Sequence, residues 1–253
     1  MRHVAFNGEY VRAAAASGVR HDGRGVATAG EVEVRLIRGE GVSVAEVALQ
    51  SGSRVVCSVT CGLVAPDAAR PLEGRVSVSV EASVLATDGG SGGPRPHWVV
   101  EVEQLVSRLV RDCDVVDRDA LCVVAGEWVW SVRCDVHILA KRGNAADAAV
   151  LAAVAALRHV RRGRVERLED GAVRTRGLDE DPEPQGLPLL HVPLNATLAV
   201  LDLEAPVLVV DPTEAENAAA LAIFCVAMTP HHRICAFQKM GGAPVEADLC
   251  LQS

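Results

Sequence analysis

The chain has 253 residues, 49% of them apolar, and a formal net charge of -8 from 25 basic and 33 acidic residues. The apolar share excludes intrinsic disorder, and the length suits one large domain or two small ones. The acidic balance, with only 3 Trp, 3 Phe and 1 Tyr, excludes a protein that coats nucleic acid by bulk charge or stacks bases on an aromatic platform.

Valine and alanine dominate the apolar half, which predicts strands mixed with helices. A short helix is expected over residues 8–17. Alternating apolar residues then predict strands at Glu31–Arg38, Val42–Leu49 and Arg54–Val64, the last two joined by a hairpin at Ser51-Gly52-Ser53. Arg75–Glu81 reads as a strand with one wet face, and the Gly/Pro-rich Thr87–Pro96 as a mobile loop. Val102, Leu105, Val106, Leu109, Val110 and Cys113 recur at helical spacing, with Arg108 and Arg111 on the polar face. Strands at Leu121–Val124 and Trp128–Leu139 follow. Next comes an Ala-rich helix over 144–160, with Asn144 and Asp147 at its N-cap and third positions.

Arg164–Arg176 reads as a hairpin turning at Asp170-Gly171, followed by an acidic, Pro-rich link over 179–188. The wider Arg158–Arg176 stretch holds seven arginines and is expected as a solvated basic hairpin. Strands near 192–203 and 207–211 lead to a Thr213-x-x-Glu216 capping box that opens a helix expected to run to about Met228. His231-His232 are then placed at that helix's C-terminus. A strand at Arg233–Lys239 and a Gly241-Gly242 turn close the chain. This order predicts an α+β fold of mixed sheets with segregated helices.

Pattern alone supplies no chemistry. No Gly-rich phosphate loop, GxSxG elbow or nucleophile–base pair is present. The eight cysteines have no histidine partners at zinc spacing, so buried thiols in a reducing compartment are expected, with no metal and no cofactor. Residues 1–24 lack a signal-peptide core and no run of 18 apolar residues occurs, so no membrane association is expected. Arg supplies 23 of the 25 basic residues. GC-rich codon usage explains that excess, and only individual arginine positions carry an argument.

Several segments, in one order, resemble the RNase PH family: Asp22-Gly23-Arg24, Pro71–Ser83 (PLEGRVSVSVEAS), Ala120–Leu139 (ALCVVAGEWVWSVRCDVHIL), Gly143–Leu157, Val209–Glu216 and Ile234–Gly242. Within the family these segments are most similar to the ring subunits of RNA exosomes. The resemblance implies one RNase PH-like domain over 1–253, with halves of about 20–185 and 186–253. It also implies a place as one half of a heterodimer in a six-subunit ring threaded by RNA. The implied partners are other RNase PH-like ring subunits, S1/KH-type cap proteins, associated hydrolytic exoribonucleases and RNA. The implied location is nucleus and nucleolus, and also cytoplasm.

Active members of the family carry an arginine at the start of the Ala-rich helix and two aspartates six residues apart. Here Gly143-Asn144-Ala145 matches the first place, and Asp211 and Asn217 match the second. Ala145 has no charge and Asn217 neither titrates nor ligates metal well. No catalytic residue is therefore assigned, and Asn144, Ala145, Asp211 and Asn217 are read as vestigial positions. Asp211 by itself also reads as a structural acid before a helix start. Arg108 and Arg111 match arginines that reach RNA phosphates in the archaeal non-catalytic subunit, and Arg70 and Arg75 flank a stretch similar to a channel-facing loop. These four are the RNA-binding candidates. The alternative is an active phosphate-dependent 3′→5′ exoribonuclease, alone or as half of a composite site.

Overall fold

The structure is a computed structural model, and it describes residues 8–39, 41–84, 86–87, 94–168, 173–203 and 207–244. After helix α1 (Gly8–Ala16), five strands build the first sheet: β1 (Val32–Gly39), β2 (Val42–Leu49), β3 (Arg54–Val64), β4 (Arg75–Ala82) and β6 (Trp128–Ala140). Their order is β1-β2-β3-β6-β4, with the short β5 (Cys122–Val124) also on β6. Neighbours are antiparallel except β4, which runs parallel to β6 with Arg75 opposite Ser131. A parallel pair needs a crossover, and helix α2 (His97–Ser107) lies on that path.

Helix α3 (Ala145–His159) packs on β2 and β3 on one side and on β11 (Leu194–Asp202) on the other. Its composition explains that position. Ala148, Ala149, Ala152, Ala153 and Ala156 are fully buried, and small side chains let one helix lie close to two sheets. The second sheet has the order β12-β11-β13-β14, with β12 at Val207–Val210, β13 at Ala222–Met228 and β14 at Ile234–Gly242. One core joins both sheets through α2 and α3, including Val47, Val55, Leu105, Val132, Leu157 and Ala227. Helices α1 and α4 (Glu214–Ala219) pack together over Leu201 and Val209. The layers are thus sheet, helices, sheet, helices.

Three local readings need correction. The helix opened by Thr213 ends at Ala219, and the stretch expected to continue it is the strand β13. Its sequence, AIFCVAM, is a seven-residue apolar run, a length at which periodicity does not separate strand from helix. Pairing on both edges, with β11 and β14, decides the matter and buries Phe224, Cys225 and Ala227. His231-His232 consequently sit in the turn between β13 and β14, not at a helix end, and His232 has φ +58°. Gly241 and Gly242 belong to β14 rather than to a turn beyond it.

The helix read from Val102 starts earlier, at His97, and its last turn, Arg108–Asp112, is π-helical, with Cys113 N donating to Arg108 O at 3.0 Å. Flanking strands β8 (Val165–Arg167) and β9 (Val173–Thr175) pair as expected, while the turn at Asp170-Gly171 lies outside the described residues, as do 88–93 of the Gly/Pro-rich loop. The Pro-rich link is tied down: β10 (Gln185–Gly186) pairs with β7 (Arg161–Arg162). The described cysteines are all free thiols. Cys57 meets Cys134 across the sheet, with 3.3 Å between sulfurs. No helix among the described residues is long and apolar enough to cross a membrane.

Candidate functional site

Three loops converge between the two sheets: Asp22-Gly23-Arg24 after α1, Arg142-Gly143-Asn144 before α3, and Asp211-Pro212-Thr213 before α4. Gly143 makes the approach possible. It has φ +105°, and a Cβ there would lie 2.8 Å from Pro212 O and 3.0 Å from Glu214 N. Asp211 also has positive φ, +50°, and is 7% exposed.

Both Asp211 carboxylate oxygens are taken. Oδ2 accepts from Arg24 Nη1 at 2.7 Å and from Gly30 N at 3.0 Å, and Oδ1 accepts from Asn144 Nδ2 at 3.2 Å. The Asp211 carbonyl accepts from Arg24 Nη2 and Arg20 Nη2. Arg20 is itself buried and forms a two-pronged pair with Glu216, at 2.9 and 2.7 Å. Glu216 closes the Thr213 capping box, so one carboxylate serves both the helix start and the buried arginine. Losing one partner of such a pair costs about 3–5 kcal/mol.

The network continues through Asn144. Its side chain caps α3 by accepting from Asp147 N at 3.1 Å, and its amide nitrogen donates to Asp147 as well as Asp211. The enclosed Asp147 carboxylate also accepts from Asn195 Nδ2, Thr197 N and Thr197 Oγ1. Burial pushes the Asp147 carboxyl above its ordinary value, and these hydrogen bonds counter that only in part. At the open end, burial raises the Asp22 carboxyl but hydrogen bonds and charge from Arg24 and Arg20 hold it below its ordinary value. Arg24 in turn is held more firmly protonated: burial opposes this, and Asp211 and Asp22 outweigh it.

Of the four positions read as vestigial from the sequence, the structure brings Asn144 and Asp211 into direct contact and seals Ala145 beside them at 4% exposure. Asn217 stands apart: its Oδ1 is buried without a hydrogen-bond partner among the described residues. Among the described residues no cluster of His, Cys, Asp and Glu has the arrangement of a metal site. Sequence reading missed Arg20, Asn195 and Thr197 as members of this network. Glu216 carried a signal through the capping box, as Asn144 and Asp147 did through the α3 cap.

The arginine candidates lie elsewhere. Arg108 and Arg111 are exposed on the π turn, which packs against β4, and Arg75 is exposed at the first position of β4. Arg70 is exposed and pairs with Glu73 at 3.1 Å. Arg118, which the sequence did not single out, reaches the same Glu73 at 3.5 Å and Asp114 at 3.6 Å, and its carbonyl accepts from Gly74 N. The turn before β4 is thereby tied to the segment that follows the π turn.

Residues 41–162 match the first domain and residues 191–252 the second domain of the 3′ exoribonuclease family, RNase PH. The chain is 33% identical over 247 residues to exosome complex component RRP45A of Arabidopsis thaliana, covering 96% of this chain and 78% of that protein. It is 35% identical over 194 residues to exosome complex component RRP45 of Danio rerio, covering 75% of this chain and 48% of that one. The chain therefore spans about half the length of the vertebrate relatives it matches. Among solved structures, the Archaeoglobus fulgidus exosome with RNA bound to the active site superposes with a TM-score of 0.80 at 26% identity, over 97% of this chain and 91% of that one.

Proposed function

The chain belongs to the RNase PH family, and from that premise we propose that it is a non-catalytic ring subunit of an RNA exosome, completing the ring and lining the RNA path. The observation that carries this is the state of Asp211. Its two carboxylate oxygens are bound by Arg24, Gly30 and Asn144, and the neighbouring positions that matched an arginine and a second acid are Ala145 and Asn217. A carboxylate that already accepts three hydrogen bonds from within the fold is committed to holding these loops together, and nothing at 145 supplies a phosphate donor.

Two apolar surfaces support the ring assignment, because a heterologous ring contact uses two different faces of one subunit. Strand β1 is exposed along all eight residues, including Val32, Val34, Leu36 and Ile37. A second row, Leu194, Met228 and Ile234, runs across three adjacent strands in register and is also exposed. In this reading the partners are other RNase PH-like subunits, S1/KH-type cap proteins and RNA. Hydrolytic exoribonucleases bound to the ring perform degradation. The complex works in nucleus, nucleolus and cytoplasm.

The purified chain, incubated with single-stranded RNA and inorganic phosphate, is expected to release no nucleoside diphosphates. Phosphate-dependent release that vanishes in Asp211→Asn while the variant stays folded establishes instead an active phosphorolytic 3′→5′ exoribonuclease.

A further inference from the structure

One arginine of the basic hairpin is not solvated. Arg162, on β7, is only 9% exposed and its guanidinium carbon lies 5.1 Å from the centre of the Trp130 ring. Its Nε and Nη1 are buried and have no hydrogen-bond partner among the described residues. Stacking on the indole offsets part of the cost of burying that charge, but it satisfies none of these N–H groups.

Arg162 also lines a cleft of about 310 Å3, whose wall carries Arg174, Arg176, Thr175, Cys61 and the acid Glu180. Gly163 sets the geometry. A Cβ there would lie 1.9 Å from Arg176 O, so only glycine lets the strand press against residue 176 and bring these side chains to one cleft. Arg174 and Arg176 have exposed carboxylate partners, Glu180 at 3.5 Å and Glu166, which are weak, exchangeable pairs.

We infer that this cleft is a binding site for a phosphate group, with Arg162 as its anchor and room for a ligand of mononucleotide size. A phosphate presents several oxygens to a wall that carries three arginines, whereas a carboxylate presents two. The volume falls at the lower end of small-molecule pockets, roughly 300–1,000 Å3. The site lies within one chain and does not depend on the ring assignment. Free phosphate and a nucleoside monophosphate share this chemistry and are separated by experiment.

Cys61 provides a local reporter. Burial raises its thiol to about 11, with Arg162 pulling the other way, so a ligand that covers the cleft and neutralises Arg162 slows its modification. The full chain is labelled with a maleimide, and Cys61 is followed by mass spectrometry with inorganic phosphate, AMP or hexaglutamate at matched ionic strength. Phosphate or AMP is expected to protect Cys61, and Arg162→Met to weaken that protection about tenfold or more. Tighter protection by AMP identifies a nucleotide, and equal protection identifies the free ion. The inference is overturned by no protection from phosphate or AMP at millimolar concentration, or by protection from hexaglutamate alone, which marks an acidic protein segment as the occupant. Undiminished protection in a folded Arg162→Met chain also overturns it. Should that variant not fold, the wild-type result stands as the test, and the exposed Arg176→Gln repeats it with a weakened response expected.

Discussion

Arg24 joins an exposed acid, Asp22, to the enclosed acid Asp211, and the two ends respond differently to pH. Asp22 is held below its ordinary 3.8: burial pushes its carboxyl up, but Arg24 and Arg20 pull it down further. A depressed folded value means that the unfolded chain binds the proton more readily. The stability Asp22 contributes is therefore full above pH 3.8 and lost as pH falls through the folded value. The gap in urea midpoint between the native chain and Asp22→Asn should be constant above that pH and close below it. A gap that persists to full protonation refutes the pairing. The Asp-Gly-Arg segment was legible in the sequence, and so was the Asn144 cap, because both are local patterns. The contacts of Arg20 with Glu216 and of Asp147 with Thr197 were not, because they join residues that only the folded topology brings together.

At the scale of elements, legibility followed length and periodicity. The Ala-rich α3 and the alternating β2, β3 and β6 were read from their patterns, and their registers bear that out. Strand β13 was not, since its apolar run fits either structure until both of its edges are paired. The end of α2 was also hidden. Propensity carries no signal for a π turn; Leu109 and Val110 are buried in it and Arg108 and Arg111 exposed, as the apolar spacing already required. In an α-helix, residues three apart lie on one face. Replacing Arg108 and Arg111 with Glu should leave the fold intact and weaken crosslinking of RNA to the assembled ring by about tenfold or more. Unchanged crosslinking would leave these arginines as an ordinary solvated face.

For the whole molecule, the exposed β1 matters most. It is the last strand of its sheet, and its free edge is a template for pairing with another chain. Isolated, the chain should associate through this edge. Ile37→Lys, at a position 62% exposed, should shift its sedimentation toward monomer and reduce its incorporation into the ring without lowering its melting temperature. A variant that enters the ring as readily as the native chain removes β1 from the interface. The acidic composition that counted against bulk nucleic-acid binding fits this picture, in which a few arginines act locally and neighbouring chains share the remaining electrostatics.

The close approach at Gly143 makes the junction intolerant of bulk. An arginine placed at 145 would have no room, because the position is 4% exposed, and the acid beside it is already paired with Arg24. Asn144, Asp211 and Arg24 share one hydrogen-bond chain, so a change at any of them loosens the contact of the other two. The three loops therefore behave as one clamp, and strain introduced at any of them is felt at the starts of both α3 and α4.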